Sequence, residues 1–170
     1  MADPIRQLEE DHERVQLLAQ AFAWVTGDAE RRGLAARLGE VLRVHAAVAG
    51  EIFYPALARR SPPGAPDLAA GAGRGPRAHA VQAALLTRLL GEAAGDGPAT
   101  QLADRLRALV LEHAQEERTG LFPAARQCLG TDLERLGELL ARRGAELQGS
   151  AAPLGIGSAA PRLAHEGVAG

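Results

Sequence analysis

The sequence predicts an all-α protein: an up-down-up-down antiparallel four-helix bundle with a short extra C-terminal helix. Three observations carry that expectation. The 170 residues are 46% hydrophobic but only 3% aromatic, which favours helices packed through Leu, Ala and Val over sheets, whose strands draw on aromatic and β-branched residues. Apolar residues recur at alternating three- and four-residue spacing along four long segments, the period of a buried helix face. Each of those segments carries one histidine inside its apolar seam.

The first helix has Asp3 suited to the N-cap and Pro4 to the first turn, and Gly27 ends it. Its seam is Ile5, Leu8, His12, Val15, Ala19 and Phe22. The second is expected to start at Asp28 or Leu34 and run to about Arg59, with Leu34, Leu38, Val41, His45, Val48 and Ile52 inward. Pro55 has no N–H for the carbonyl of Glu51 and is expected to kink it. The stretch SPPGAPDLAAGAGRGP, Ser61 to Pro76, is dense in Gly and Pro and reads as a long loop. The third helix is expected over Arg77 to Ala94, with His79, Ala83, Leu86 and Leu90 inward, and GDGPA breaks it. The fourth covers Ala99 to Leu129, with Leu102, Leu106, Leu109, His113 and Glu117 in line. Thr131 is expected to cap a shorter amphipathic helix, Asp132 to Gln148. Residues 149–170 show no periodicity and read as a disordered Ala/Gly/Pro-rich tail beyond a domain of residues 1–148.

Formal net charge is −2, so bulk electrostatic attraction to nucleic acid or an anionic membrane is not expected. Cys128 is the single cysteine, which excludes an intrachain disulfide and a cysteine-based zinc site. MADPIRQLEEDHE has neither the basic nor the apolar region of a signal peptide, and no run approaches the roughly 20 apolar residues of a spanning helix. The expectation is a soluble cytoplasmic protein. The glycine-rich Gly64–Gly75 stretch lacks the Lys-Ser/Thr ending of a phosphate-binding loop.

The histidines fall at one height. His12 stands about 14 residues, roughly 21 Å, from the end of its helix, and His45 roughly 17 Å into the next, at about 1.5 Å per residue. The third and fourth helices bring His79 and His113 level in the same way. His45 follows His12 by 33 residues and His113 follows His79 by 34, so the chain reads as two similar hairpins. Both His45 and His113 are followed nine residues later by an aromatic, then Pro-Ala. Four imidazoles inside a bundle call for a partner, since an unpaired buried polar atom costs about 1–3 kcal/mol. A metal is the usual one, and imidazole suits iron, zinc, copper or nickel. Glu117, one turn past His113, shares its face and adds an oxygen ligand. Phe53, Tyr54 and Phe122 read as packing residues.

The pattern Leu8-x-x-Asp11-His12, His45 with IFYPAL, His79, and His113-x-x-x-Glu117 with LFPA closely resembles the haemerythrin-like, or HHE cation-binding, domain over about Ile5 to Cys128. The resemblance implies an up-down four-helix bundle around a non-haem di-iron centre, with His12, His45, His79, His113 and Glu117 as metal ligands. It implies a protein that binds or senses a small oxidant such as dioxygen, peroxide or nitric oxide. Weak peroxide or dioxygen chemistry at the iron is the enzymatic form of that reading.

One departure stands out. Where the family has a first bridging glutamate, this chain has Ala49, followed by Gly50. Glu51 does not replace it, being rotated about 240° from His45 against about 40° for the lost position. Three outcomes are open. A di-iron site keeps one carboxylate bridge, with a ligand admitted at the edge Ala49 vacates. Another oxygen swings in, from Glu9 foremost, then Glu116 or Gln16, while Tyr54 lies about 180° from His45 and off the face. Or the site holds one metal or none. In the last case the chain would be a metal-poor helical interaction or regulatory module, with Asp132–Gln148 available to a protein partner. A mononuclear iron or zinc site serving stability is a further variant.

Overall fold

The computed structural model describes residues 2–60, 66–92 and 98–150. Among these residues there are helices and no strands, and a four-helix bundle fits. Helix α1, Pro4–Trp24, starts as expected: the Asp3 carboxylate accepts from the N–H groups of Ile5 at 2.9 Å and Arg6 at 3.4 Å. Every residue of its expected seam is buried. Helix α2, Asp28–Val48, begins at the earlier of the two expected starts, with Asp28 and Glu30 at its positive N-terminal end. Arg31 secures the α1–α2 link, donating to the Val25 carbonyl at 2.8 Å and lying over the Phe22 ring.

The expected kink at Pro55 is a wide π-helical turn, Ala49–Phe53, that runs on into α3, Tyr54–Arg60. The Tyr54 N–H reaches back five residues to the Ala49 carbonyl. The same device recurs in the second hairpin. Helix α5, Pro98–Glu116, passes through a π turn at Glu117–Leu121 into α6, Phe122–Leu129, with the Phe122 N–H on the Glu117 carbonyl. In both, a proline follows immediately; its missing N–H strips one rung from the ladder, and the helix accommodates it by widening a turn.

The expected Ser61–Pro76 loop is overturned from Pro66 onward: α4 spans Pro66–Glu92 with Pro76 inside it. Pro66 stands at the helix start, where its lack of an N–H is harmless. Pro76 forgoes one backbone bond, and packing compensates: Ala72 and Gly75, on the turn before it, are buried against the core. Residues 61–65, the GDGPA residues up to 97, and the tail from 151 lie outside the described residues. The inward face of α4 is also corrected. His79 is buried as expected, but its companions are Gln82, Leu85 and Leu89, while Ala83 and Leu90 are exposed and Leu86 is half-buried. The helix is rotated toward its one buried amide, which a reading of apolar period passes over.

Helix α1 packs on α2 and α5, and α4 packs on α5 and α2. Helix α7, Asp132–Ser150, lies across α1, α2 and the first π turn, burying Leu136 and Leu140. It continues two residues past the expected end. Two apolar clusters result. One gathers Val15, Phe22, Leu38, Leu89 and Leu106; the other gathers Leu8, Val48, Phe53, Phe122 and Leu140. The histidines separate them along α1, α2 and α5, so the polar layer has a dry cluster on either side. The stretch Asp28–Arg60 contains an 18-residue window of mean hydropathy 1.2, long and apolar enough to cross a membrane by length and composition, contrary to the sequence-based expectation. Half of that window is buried inside the protein.

Candidate metal centre

All four histidines predicted from the sequence meet. The His12 and His45 rings are 4.6 Å apart by centroid, His45 and His79 4.9 Å, and His79 and His113 4.9 Å. The Nε2 atoms of His79 and His113 face each other at 3.1 Å, one donating and the other accepting. Glu117 joins from the second π turn, its Oε2 lying 3.6 Å from His12 Nε2 and 3.7 Å from His113 Nε2. Ligand atoms of His12, His45, His113 and Glu117 all lie within 4.8 Å of one another. His79 adjoins this group through His113.

The donors are short of partners. Both ring nitrogens of His12, both of His45, and Glu117 Oε2 are buried without a hydrogen bond. Burial presses three of the imidazoles toward neutrality: His12 and His79 are pushed down to about 2 and His113 to about 4, with neighbouring imidazoles adding to the effect. Burial also pushes the Glu117 carboxyl up to about 6, against the hydrogen bond from Tyr54 that lowers it. Buried rings and a carboxylate that converge with donor atoms to spare, one nitrogen from each ring, match what a divalent metal requires of its ligands. A cation at their centre would take one nitrogen from each ring together with Glu117 Oε2, and would favour ionised Glu117. The residues present therefore fit a metal.

Two neighbours support the cluster. Asp11 Oδ2 stands 3.6 Å from His45 Nδ1, a charged neighbour just beyond hydrogen-bond length. Tyr54 donates its O–H to Glu117 Oε1 at 2.7 Å, and its ring lies 5.9 Å from that of His79. This corrects the expectation that Tyr54 is packing turned away from the site. A π turn takes one residue more than an α turn, so later residues lag by about 100°. The expected 180° between Tyr54 and His45 thus falls to about 80°. The recurrent proline after each aromatic was the available sequence signal. Gly75 completes the arrangement: a Cβ there would overlap the Tyr54 ring and hydroxyl, so only glycine lets α4 come this close.

The other oxygen candidates point elsewhere. Glu9 pairs with Arg118 at 3.7 Å, Glu51 with Arg143 at 2.8 Å, and Glu116 is exposed. Gln16 is half-buried on α1. Ala49 is fully buried within the cluster that holds Phe53 and Phe122, so its position is dry packing and not an open edge. The asymmetry between the hairpins is double. Ala49 corresponds to Glu117, and Phe122 to Tyr54. Where one half offers a carboxylate, the opposite half offers it a phenol; where the carboxylate is absent, so is the hydroxyl.

Comparison with curated proteins and with solved structures gave no match. The Hemerythrin HHE cation binding domain matches residues 3–146, the whole bundle and most of α7. With that span, and with a buried His/Glu cluster where four helices meet, the chain belongs to the Hemerythrin HHE cation binding domain family.

Proposed function

We propose that this chain is a haemerythrin-like non-haem iron protein that binds or senses a small oxidant, dioxygen, peroxide or nitric oxide, at a di-iron site with a single carboxylate bridge. The reading takes the histidine-bearing helices in up-down-up-down order with α7 as an addition, and places the protein in the cytoplasm. The observation that carries it is the convergence of orphaned His12, His45 and Glu117 atoms with His113, all buried and within 4.8 Å of one another.

His12, His45, His79 and His113 would hold the metal, and Glu117 would bridge and offset its charge. When bound, iron supplies the electrons and the open position that a small oxidant needs. The chain's own residues do the rest. Asp11 sets a carboxylate beside His45 Nδ1, at 3.6 Å. Tyr54 holds Glu117 by one oxygen and leaves Oε2 free to face His12 and His113. The apolar clusters above and below exclude water and strengthen each electrostatic contact within the layer.

The test is iron per chain by elemental analysis after anaerobic ferrous loading and desalting, with optical spectra after air. Near two irons with oxo-bridge absorption is the expected result. One iron would mean a mononuclear site, and none would refute the reading. A second reading, a metal-poor interaction module, draws on Trp24 and Leu17. These are 81% and 67% exposed and stand seven residues apart on one side of α1. It requires partner binding to survive replacement of all four histidines.

A further inference from the structure

A groove of about 280 Å³ opens along the α4–α5 seam. Its walls are mostly apolar, formed by Ala78, Val81 and Leu109, and His113 lies at its base. Arg74 and Arg77 from α4 face Glu112 and Glu116 from α5 along the rim. Among the described residues no ion pair joins them across it, so the rim is not latched. The groove therefore leads from solvent to His113, a member of the cluster.

Gln82 also lines this groove. It is 2% exposed, and its Nε2 is buried with no hydrogen-bond partner. It sits one turn after His79 on α4, so the two side chains are neighbours on one helix face. A buried amide N–H without a partner costs about 1–3 kcal/mol, where an apolar residue of similar shape would cost nothing. The rest of the inward face of α4 below the histidine, Leu85 and Leu89, is apolar. A donor is therefore held idle in the wall of an open groove that also reaches His113, one turn along α4 from His79.

We propose that the α4–α5 groove is the route by which a small ligand reaches the centre, and that the Gln82 amide is the hydrogen-bond donor that positions it there. The groove's apolar walls and the lone donor suit a ligand of two or three heavy atoms with lone pairs at its outer end. Gln82 is a positioning residue: it neither holds the metal nor needs to titrate. The inference rests on the metal-binding reading above and specifies which face of the centre the ligand meets.

The probe is azide, a small anion able to take an open position on ferric iron, titrated against iron-loaded full-length chain by absorption. Gln82→Leu should keep its iron content and bind azide about tenfold more weakly, the effect of losing one hydrogen bond to an anion. Its metal-free form should melt no lower than the parent, because the amide has no partner to lose. Gln82→Met, which keeps the length of the side chain and removes the donor, should behave in the same way. Val81→Trp changes a side chain already 52% exposed and narrows the groove. It should slow azide association severalfold with less change at equilibrium. Unchanged azide affinity in Gln82→Leu with iron retained would overturn the donor role while leaving the metal site standing. A lower melting point of the metal-free variant would also overturn it, by showing that the amide has a structural partner. Unchanged association in Val81→Trp would overturn the route. Failure of the unaltered chain to take up iron would overturn the metal-binding reading, and this inference with it.

Discussion

Gly75→Ala should damage the site although it touches no metal ligand. Alanine is the better helix former by about 0.8–1.0 kcal/mol, so on propensity alone the change stabilises α4. The new Cβ, however, would coincide with ring carbons and the hydroxyl oxygen of Tyr54. The ring is buried and has nowhere cheap to go; overpacking of this kind costs about 1–3 kcal/mol. Moving it also takes the 2.7 Å hydrogen bond from Glu117, which costs about another 1–3 kcal/mol at a buried carboxyl. Set against the helix gain, the net loss is about 3 kcal/mol. For a chain of this length that lowers the melting temperature by roughly 6–12 °C. Gly73→Ala is the internal control: it lies two residues away in the same helix with nothing within 4 Å of its added Cβ. It should raise stability by about 0.4–1 kcal/mol. Thermal unfolding of the two metal-free variants by circular dichroism gives the comparison, and Tyr54, the chain's single tyrosine, reports its own displacement in the near-ultraviolet. If Gly75→Ala melts above the parent, as Gly73→Ala should, the packing of Tyr54 against α4 is wrong.

Acid should destabilise the metal-free protein. His12 and His79, at about 2, and His113, at about 4, stay neutral in the fold, so the unfolded chain takes up protons first once the pH drops below 6.5. Each such histidine removes up to about 1.4 kcal/mol per pH unit. Glu117 acts oppositely: its folded carboxyl protonates near 6, before the unfolded one at 4.5, and offsets one histidine in that interval. Denaturant midpoints should therefore fall between pH 7 and pH 5, and a flat profile would contradict the buried layer. Metal at about 1,000 times its dissociation constant should stabilise the fold by about 4 kcal/mol, or roughly 8–16 °C, in a concentration-dependent way. Chelation should reverse the shift, and a melting point indifferent to metal would count against the centre. Ala49→Glu alone places a carboxyl in a dry cluster and should destabilise the metal-free chain by several kcal/mol. Adding Phe122→Tyr should recover about 1–3 kcal/mol of that, read as the coupling in a double-mutant cycle, and raise metal uptake above either single variant. Additive effects would deny the paired asymmetry of the two hairpins.

Much of this centre is written along the chain. The seam of α1 and the burial of His12, His45, His79 and His113 follow from a single period, because every residue on one face of an unbroken helix meets the same environment. Equal distances from two hairpin turns then set the histidines level, and Glu117 shares the face of His113 by the same rule. The loss of the second carboxylate at Ala49 is likewise legible as soon as the two H-x8-[FY]-P-A segments are aligned. Period fails where the helix itself changes. Beyond each π turn the register slips by one residue, so Tyr54, which sequence geometry turns away, comes round to Glu117. The start of α4 at Pro66 overrides local breakers because helix packing can outweigh one missing backbone bond, and proximity between chain segments is invisible to propensity. Gly75 matters only because Tyr54 lies against it. Gln82 looks like any surface amide until the fold buries it beside His113. The sequence by itself determined the helices, their buried faces and the histidine layer, since these depend on residues close along the chain. Only the tertiary structure decided the support for Glu117, the closed packing at Ala49 and the open groove at α4–α5, since each depends on which distant residue fills the space.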